Sequence, residues 1–181
     1  MKFLSLAAGG PVLLTPEIHG DDRGFFMETF RQNEFEAHCG PHLFVQDNHS
    51  KSRRGVLRGM HYQLARPQGK LVRVVRGSVY DAAVDLRLSS PTFGKSFSVV
   101  LDDETRRMLW VPPGFAHGFL VLSDEAEFVY KCTEYYAPED ECCLRHDDPA
   151  PGIGWPLEAE NLVVSSRDRQ GLPFSECPKF S

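Results

Sequence analysis

Apolar residues along this chain recur in short segments, mostly alternating with polar ones. Val12-Leu13-Leu14 is a short run that Pro16 stops. Asp21-Asp22-Arg23-Gly24 is turn chemistry, with Gly24 free to take a positive φ, and residues 25–30 after it read as a strand. Residues 33–38 predict one or two turns of helix, with Asn33 as N-cap and Gly40-Pro41 as the stop. From Leu43 onward the pattern is strand. Residues 43–48, 55–63, 70–76, 79–86, 97–101, 107–111, 116–122, 126–133 and 141–145 are each short and rich in β-branched or aromatic side chains. Within 79–86, Val79, Asp81, Ala83 and Asp85 fall on one face, and Tyr80, Ala82, Val84 and Leu86 on the other. Turn signals recur every ~8–12 residues, the spacing of a sandwich or barrel. The expected class is therefore all-β. Residues 147–156 form a Pro/Gly loop, 165–170 a short helix, and the last ten residues are expected to be loosely ordered. The opening MKFLSLAAGGPVLL predicts a strand rather than a signal peptide, because Gly9-Gly10-Pro11 breaks the apolar run.

Composition narrows this. A chain of 181 residues with 41% hydrophobic and 25% charged content is globular and predicts one domain. N-terminal strands and a short helix would occupy 1–50, the β core 51–146, and a loop with a short helix 147–181. No run approaches the ~20 apolar residues of a membrane span, and the chain is acidic, so neither a membrane nor a nucleic acid is an expected partner. Five cysteines with no CxxC predict free thiols and a cytoplasmic protein. None lies near a His at a metal-ligand spacing, which speaks against zinc.

Charge is unevenly spread. Asn48 to Tyr80 holds no acid and eight cations, leaving twelve cations against 25 acids elsewhere. Such a window points to an anion site, or to a solvated strand face. His61 is its candidate reactive group. His61 and His117 stand in GVLRGMHYQ and PPGFAH, which resemble the two motifs of the cupin superfamily, a double-stranded β-helix jelly roll. The cupin metal set is broken: Gln63 replaces the second His, and Lys70 stands where a Glu ligand belongs. No metal and no other cofactor is expected.

GDDRGFFMETF, FVQDNHSKS, GVLRGMHYQ, QGKLVRVVRG, DLRLSSPTFG, LWVPPGFAHGF, AEFVYKCTEYYAPE and VSSRD occur in this order. Together they resemble the dTDP-4-dehydrorhamnose 3,5-epimerase family over residues 13–171. The resemblance implies inversion of carbons 3 and 5 of dTDP-4-dehydro-6-deoxy-D-glucose, by proton removal beside the ketone and return from the other face. It implies His61 as base, Asp168 as its carboxylate partner, Lys70 near the ketone oxygen and Tyr130 as acid. On the residues alone, Asp168 reads as an exposed helix-end acid, Lys70 as a surface lysine and Tyr130 as a core aromatic. For the nucleotide the resemblance implies Arg58 near the sugar or pyrophosphate, and Arg23 and Arg167 on the pyrophosphate. Glu28, Gln46, Asp47 and Asn48 would line the nucleotide end, and Phe26 and Tyr136 would stack on thymine. His117 would donate a hydrogen bond to substrate, and Glu141 would touch the nucleotide. Arg58 and His61 lie on opposite faces of an ideal strand, so a bend at Gly59 is expected. Arg66, Arg73 and Arg76 stay unassigned. The resemblance also implies a homodimer that exchanges N-terminal strands, for which the strand near Val12 is suited. Met60, Arg145-His146-Asp147 and Pro67-Gln68 depart from the family pattern and bear on substrate choice. A single-carbon epimerase, a metal-dependent oxygenase and a non-catalytic nucleotide-sugar binder are the competing readings.

Overall fold

Alternation along the strands sorts side chains to the two faces of each sheet, and that sorting builds the architecture. The computed structural model describes residues 1–158 and 161–181. The N-terminal part runs β1 (Lys2–Ser5), β2 (Val12–Thr15), β3 (Ile18–Asp21), β4 (Gly24–Met27) and α1 (Gln32–Cys39). The core continues with β5 (Gln46–Arg53), β6 (Val56–Gln63), β7 (Lys70–Arg76), β8 (Ser78–Asp85), β9 (Ser96–Asp102), β10 (Met108–Val111), β11 (Phe115–Val121) and β12 (Glu125–Cys132). A 3-10 turn at Pro138–Asp140, β13 (Glu141–Cys143), β14 (Val163–Val164) and α2 (Ser166–Arg169) complete it. The front sheet has the order β1-β2-β10-β7-β12-β5 and the back sheet β13-β6-β11-β8-β9, with β14 parallel to β6. The all-β jelly-roll expectation holds.

Inward residues of both sheets form the central core. Val72 and Val74 of β7 and Phe128 of β12 meet Val79 and Ala83 of β8 and Phe119 and Val121 of β11. The two faces expected for β8 are observed: Ala82 and Val84 turn outward, with Leu86 just beyond the strand, into a second cluster. The C-terminal segment covers that cluster, which corrects the expectation of a loose tail. Phe180 packs on Tyr62 with ring centroids 5.8 Å apart, and its backbone bonds Leu86 and Leu88. An apolar back face needs a cover, and Phe174, Cys177 and Phe180 supply it without any helical or strand period.

α1 lies on the outer face of the front sheet and drives Phe35 edge-on into Trp110 at 5.0 Å, burial worth ~2–3 kcal/mol. Its N-cap is Arg31, without a side-chain capping bond, so Asn33 sits inside the first turn. Two strand expectations shift as well. The strand after Gly24 ends at Met27 and pairs with β3 as a separate hairpin, and the strand expected at 43–48 runs from Gln46 to Arg53. The sequence QDNHSKSR lacks apolar alternation, because β5 is an edge strand. Its outward Asp47, His49 and Lys51 pair with Lys131, Glu127 and Glu125 across β12. β2 pairs with β10 of its own chain, Val12 opposite Trp110, so the strand near Val12 is already engaged.

The expected bend at Gly59 is present. The β6–β11 register shifts between His117 and Phe119, and Gly59 has φ 127°. A Cβ at Gly59 would lie 2.6 Å from the Gly118 Cα, so the crossing needs glycine on both strands. Val56 and Arg58 point inward before the bend and His61 after it, while Met60 and Tyr62 point outward.

Candidate active site

The bend opens a cavity of about 500 Å3 between the sheets. Arg58 and His61 of β6 and His117 of β11 line it from the back sheet. Lys70 of β7 and Tyr130 of β12 line it from the front. Arg167 and Asp168 of α2 close one end. The sequence brings α2 there with a cap: Ser165 accepts a hydrogen bond from the Asp168 backbone N–H at 3.1 Å. The helix is thereby fixed where its one buried side chain, Asp168, meets His61.

His61 Nε2 lies 2.7 Å from Asp168 Oδ1, and its Nδ1 lies 3.8 Å from Glu141 Oε1. Burial alone would raise the Asp168 carboxyl. The His61 hydrogen bond and charge, the Gly59 N–H and Ser165 outweigh it and hold the group below its ordinary value. A carboxylate there fixes an Nε2–H tautomer and leaves Nδ1 with a lone pair. Burial pushes the Lys70 ammonium down, opposed by the charges of Cys132, Glu141 and Asp81. Burial likewise pushes the Tyr130 phenol up, which keeps its proton in place. Arg58 is steadied by Ser52, its Nε donating to Oγ at 3.0 Å.

The rim is a second network. The Tyr136 hydroxyl donates to Glu141 Oε2 at 2.8 Å, and Arg167 contacts the same carboxylate. Gln46 Oε1 accepts from the Tyr136 N–H at 2.9 Å, while its Nε2 donates to Asn48 Oδ1 at 3.1 Å. Asn48 stands beside Tyr130 on the inward face of β5.

Four expected residues lie elsewhere. Asp47 is one position from Asn48 and therefore on the outer face, where it accepts from Lys131 at 2.9 Å. Arg23 pairs with Asp21 within the β3–β4 turn, and Phe26, 70% exposed, sits on the same hairpin. Glu28 accepts from Arg31 at 2.7 Å. None of the four lines the cavity of its own chain.

Asp81 was missed by sequence reasoning. It is fully buried, and both its oxygens lie 2.9–3.0 Å from His117 Nε2. Burial raises its carboxyl against the pull of His117 and Lys70. An acid on the inward face of an apolar strand was the available signal. Cys143 was missed too: β13 sets it opposite His61. The residues at the cupin metal position do not fit a metal. The Gln63 amide is spent on the backbone of Arg66, Tyr135 and Ala137, Lys70 brings a cation, and His117 is held by Asp81. Of the unassigned arginines, Arg66 meets Glu139, Arg76 meets Glu125, and Arg73 lines an outer-face groove. No described helix is long and apolar enough to cross a membrane.

Comparison with known proteins places this geometry. A family model described as dTDP-4-dehydrorhamnose 3,5-epimerase matches residues 5–176. A protein of that name from Pseudomonas aeruginosa is 52% identical over 181 residues, covering 99% of each chain. The crystal structure of a dTDP-6-deoxy-D-glucose-3,5-epimerase from Legionella pneumophila, in complex with dTDP-4-keto-L-rhamnose, superposes with a TM-score of 0.94 at 44% identity, covering 99% of this chain and 98% of that one. A 3'-monoepimerase from Streptomyces bikiniensis, in complex with dTDP-quinovose, is 38% identical with a TM-score of 0.85, over 92% and 84% of the two chains. Matches of this length and identity extend through the strands that carry His61, Lys70 and Tyr130 and through the segment that carries Asp168, and so this chain belongs to the dTDP-4-dehydrorhamnose 3,5-epimerase family.

Proposed function

We propose that the protein inverts carbons 3 and 5 of dTDP-4-dehydro-6-deoxy-D-glucose to give dTDP-4-dehydro-L-rhamnose, in the route to dTDP-L-rhamnose. One observation carries this reading: an imidazole and a phenol reach a single cavity from opposite sheets, with an ammonium on its wall. Inversion beside a ketone needs that arrangement. His61 Nδ1 takes the proton from the carbon next to the carbonyl, and Asp168 stabilises the imidazolium that forms. Electrons move into the carbonyl, and Lys70 meets the charge that develops on its oxygen. Tyr130 delivers a proton to the opposite face, and both groups then re-equilibrate with solvent. The sequence of steps is redox-neutral and balanced in protons. His117, fixed by Asp81, hydrogen-bonds a substrate hydroxyl. Arg58 and Arg167 hold the diphosphate, and Gln46, Asn48, Tyr136 and Glu141 surround the nucleotide.

Arg23, Phe26 and Glu28 belong to this reading through a second copy of the chain. Among the described residues the β3–β4 hairpin pairs only with itself, and Phe25 and Phe26 are exposed on it. A homodimer in which each hairpin reaches the partner's cavity would bury those rings and supply the three side chains. A cytoplasmic setting follows from a nucleotide-sugar substrate and five free thiols.

The test is incubation with the dTDP-4-keto sugar in heavy water. Deuterium at both carbons of the product supports the reading. Deuterium at one carbon establishes instead a single-carbon epimerase, the second reading that the Streptomyces relative makes specific.

A further inference from the structure

His61 has a neighbour that the epimerisation does not use. Cys143 lies directly opposite it on β13, and facing residues of an antiparallel pair present their side chains to the same side. One ligand atom each from His61, Cys143 and Asp168 fall within 4.8 Å of one another. A tetrahedral ion with bonds of about 2.0–2.3 Å holds its donors roughly 3.3–3.7 Å apart. Shifts of about an ångström therefore bring the three side chains onto one ion.

We propose that His61, Cys143 and Asp168 form a site for a borderline-soft divalent transition metal ion such as Zn2+, and that the ion inhibits the enzyme by occupying its base. Imidazole, thiolate and carboxylate are together a donor set that such an ion prefers over Mg2+ or Ca2+. The site shares only His61 with the broken cupin position. Two of its three donors, His61 and Asp168, line the cavity, which gives the ion a path in.

Metal binding exchanges the Nε2–H tautomer that Asp168 fixes in the free enzyme for the Nδ1–H tautomer, which Glu141 can support. Glu141 Oε1 lies on the Nδ1 side of His61 at 3.8 Å. A proton on Nδ1 then points at a carboxylate, and Nε2 offers its lone pair to the ion, the usual support for a ligating histidine. Asp168, Glu141 and a Cys143 thiolate place three negative charges around His61, and the cations that offset them, Arg167 on Glu141 and Lys70 and Arg58 on the cavity wall, offer no lone pair to compete for the ion. Binding is an exchange with protons. Burial, with Asp168 and Glu141 nearby, pushes the Cys143 thiol up to about 12, so the ion must displace its proton. It also moves the single His61 proton from Nε2, where Asp168 holds it, to Nδ1. With that lone pair taken, the imidazole no longer cycles between its neutral and protonated forms, and proton abstraction stops.

The inhibition rests on the proposed epimerase reading, whereas the binding does not. The test is Co2+ titration of the chelator-treated full chain, read by absorption, beside Zn2+ inhibition of turnover. A thiolate ligand gives a near-ultraviolet charge-transfer band, and tetrahedral Co2+ gives intense visible bands. Wild type is expected to show both. Cys143→Ala is expected to lose the near-ultraviolet band, to keep metal-free turnover, and to need at least about tenfold more Zn2+ for half inhibition, since even outer contacts of a metal tune affinity ~10–100-fold. Cys143→Ser repeats the comparison if the alanine variant folds poorly. Absence of the band in wild type, or its persistence in both variants, overturns the site. A band that forms while Zn2+ leaves turnover unchanged overturns the inhibition. The absorption arm decides the metal site even if the protein fails to epimerise the dTDP-keto sugar.

Discussion

Replacing Asp168 with Asn keeps its shape and removes its charge, which isolates what the carboxylate does for His61. The two groups are 2.7 Å apart at Nε2 and Oδ1, and Asp168 is buried. Taking charge centres about 4 Å apart and an effective dielectric near 20, a full imidazolium gains ~4 kcal/mol from the carboxylate. A transition state with the proton half transferred gains about half of that, ~2 kcal/mol. At 1.36 kcal/mol per decade, Asp168→Asn should lower kcat by roughly 30-fold, rising towards 10^3-fold if transfer is nearly complete. KM should move little, because the neutral base of the ground state needs no counter-charge. The assay is initial-rate epimerisation paired with solvent-deuterium incorporation, which follows proton abstraction directly. Incorporation should fall in step with turnover. The variant can still accept from His61 Nε2–H, so thermal unfolding checks that it folds. A loss under about threefold, or one confined to KM, would refute the claim that Asp168 acts by stabilising the imidazolium.

Three further outcomes follow from the same geometry. Tyr130→Phe removes the acid but leaves the base, so inversion should fall by ~10^2–10^4 while deuterium exchange with retained configuration survives; equal loss of both would show that the phenol is not the proton donor. Lys70→Met should cost ~10^2–10^3 in kcat without lowering the melting temperature, since burial already works against the ammonium; intact turnover would remove Lys70 from the enolate. Asp85 is fully buried, and although burial would raise its carboxyl, hydrogen bonds from Arg87, Ser90 and Thr92 pull it down to about 2. A depressed carboxyl contributes stability that is present above the ordinary carboxylate range and lost as pH falls through its folded value. Asp85→Asn should therefore cost ~2 kcal/mol at pH 7 and roughly half that at pH 3, measured by urea unfolding; a gap independent of pH would contradict the linkage.

The faces of β8 were readable because alternation is local, and Val79 and Ala82 went where the pattern put them. The bend at Gly59 was readable because Arg58 and His61 have the wrong parity to share a face without one. β5 was misplaced because its outer face is held by ion pairs to β12, which resemble loop polarity until the partner strand is known. The C-terminal tail was misread for a similar reason: its three apolar anchors have no period, and only the exposed back of β8 gives them a use.

The sequence by itself determined the family, the all-β class and the set of candidate reactive groups, because long motifs and two-residue alternation are properties of consecutive positions. His61, Lys70, Tyr130 and Asp168 do meet in one cavity. The tertiary structure alone decided the pairings between distant positions. It set Asp81 against His117, turned Asp47 away while Asn48 faces inward, left Arg23, Phe26 and Glu28 outside the cavity, and brought Cys143 to His61. Each of those outcomes depends on strand register and on which face a neighbouring strand presents. Register is fixed by packing across tens of residues, so no local pattern around either partner carries it.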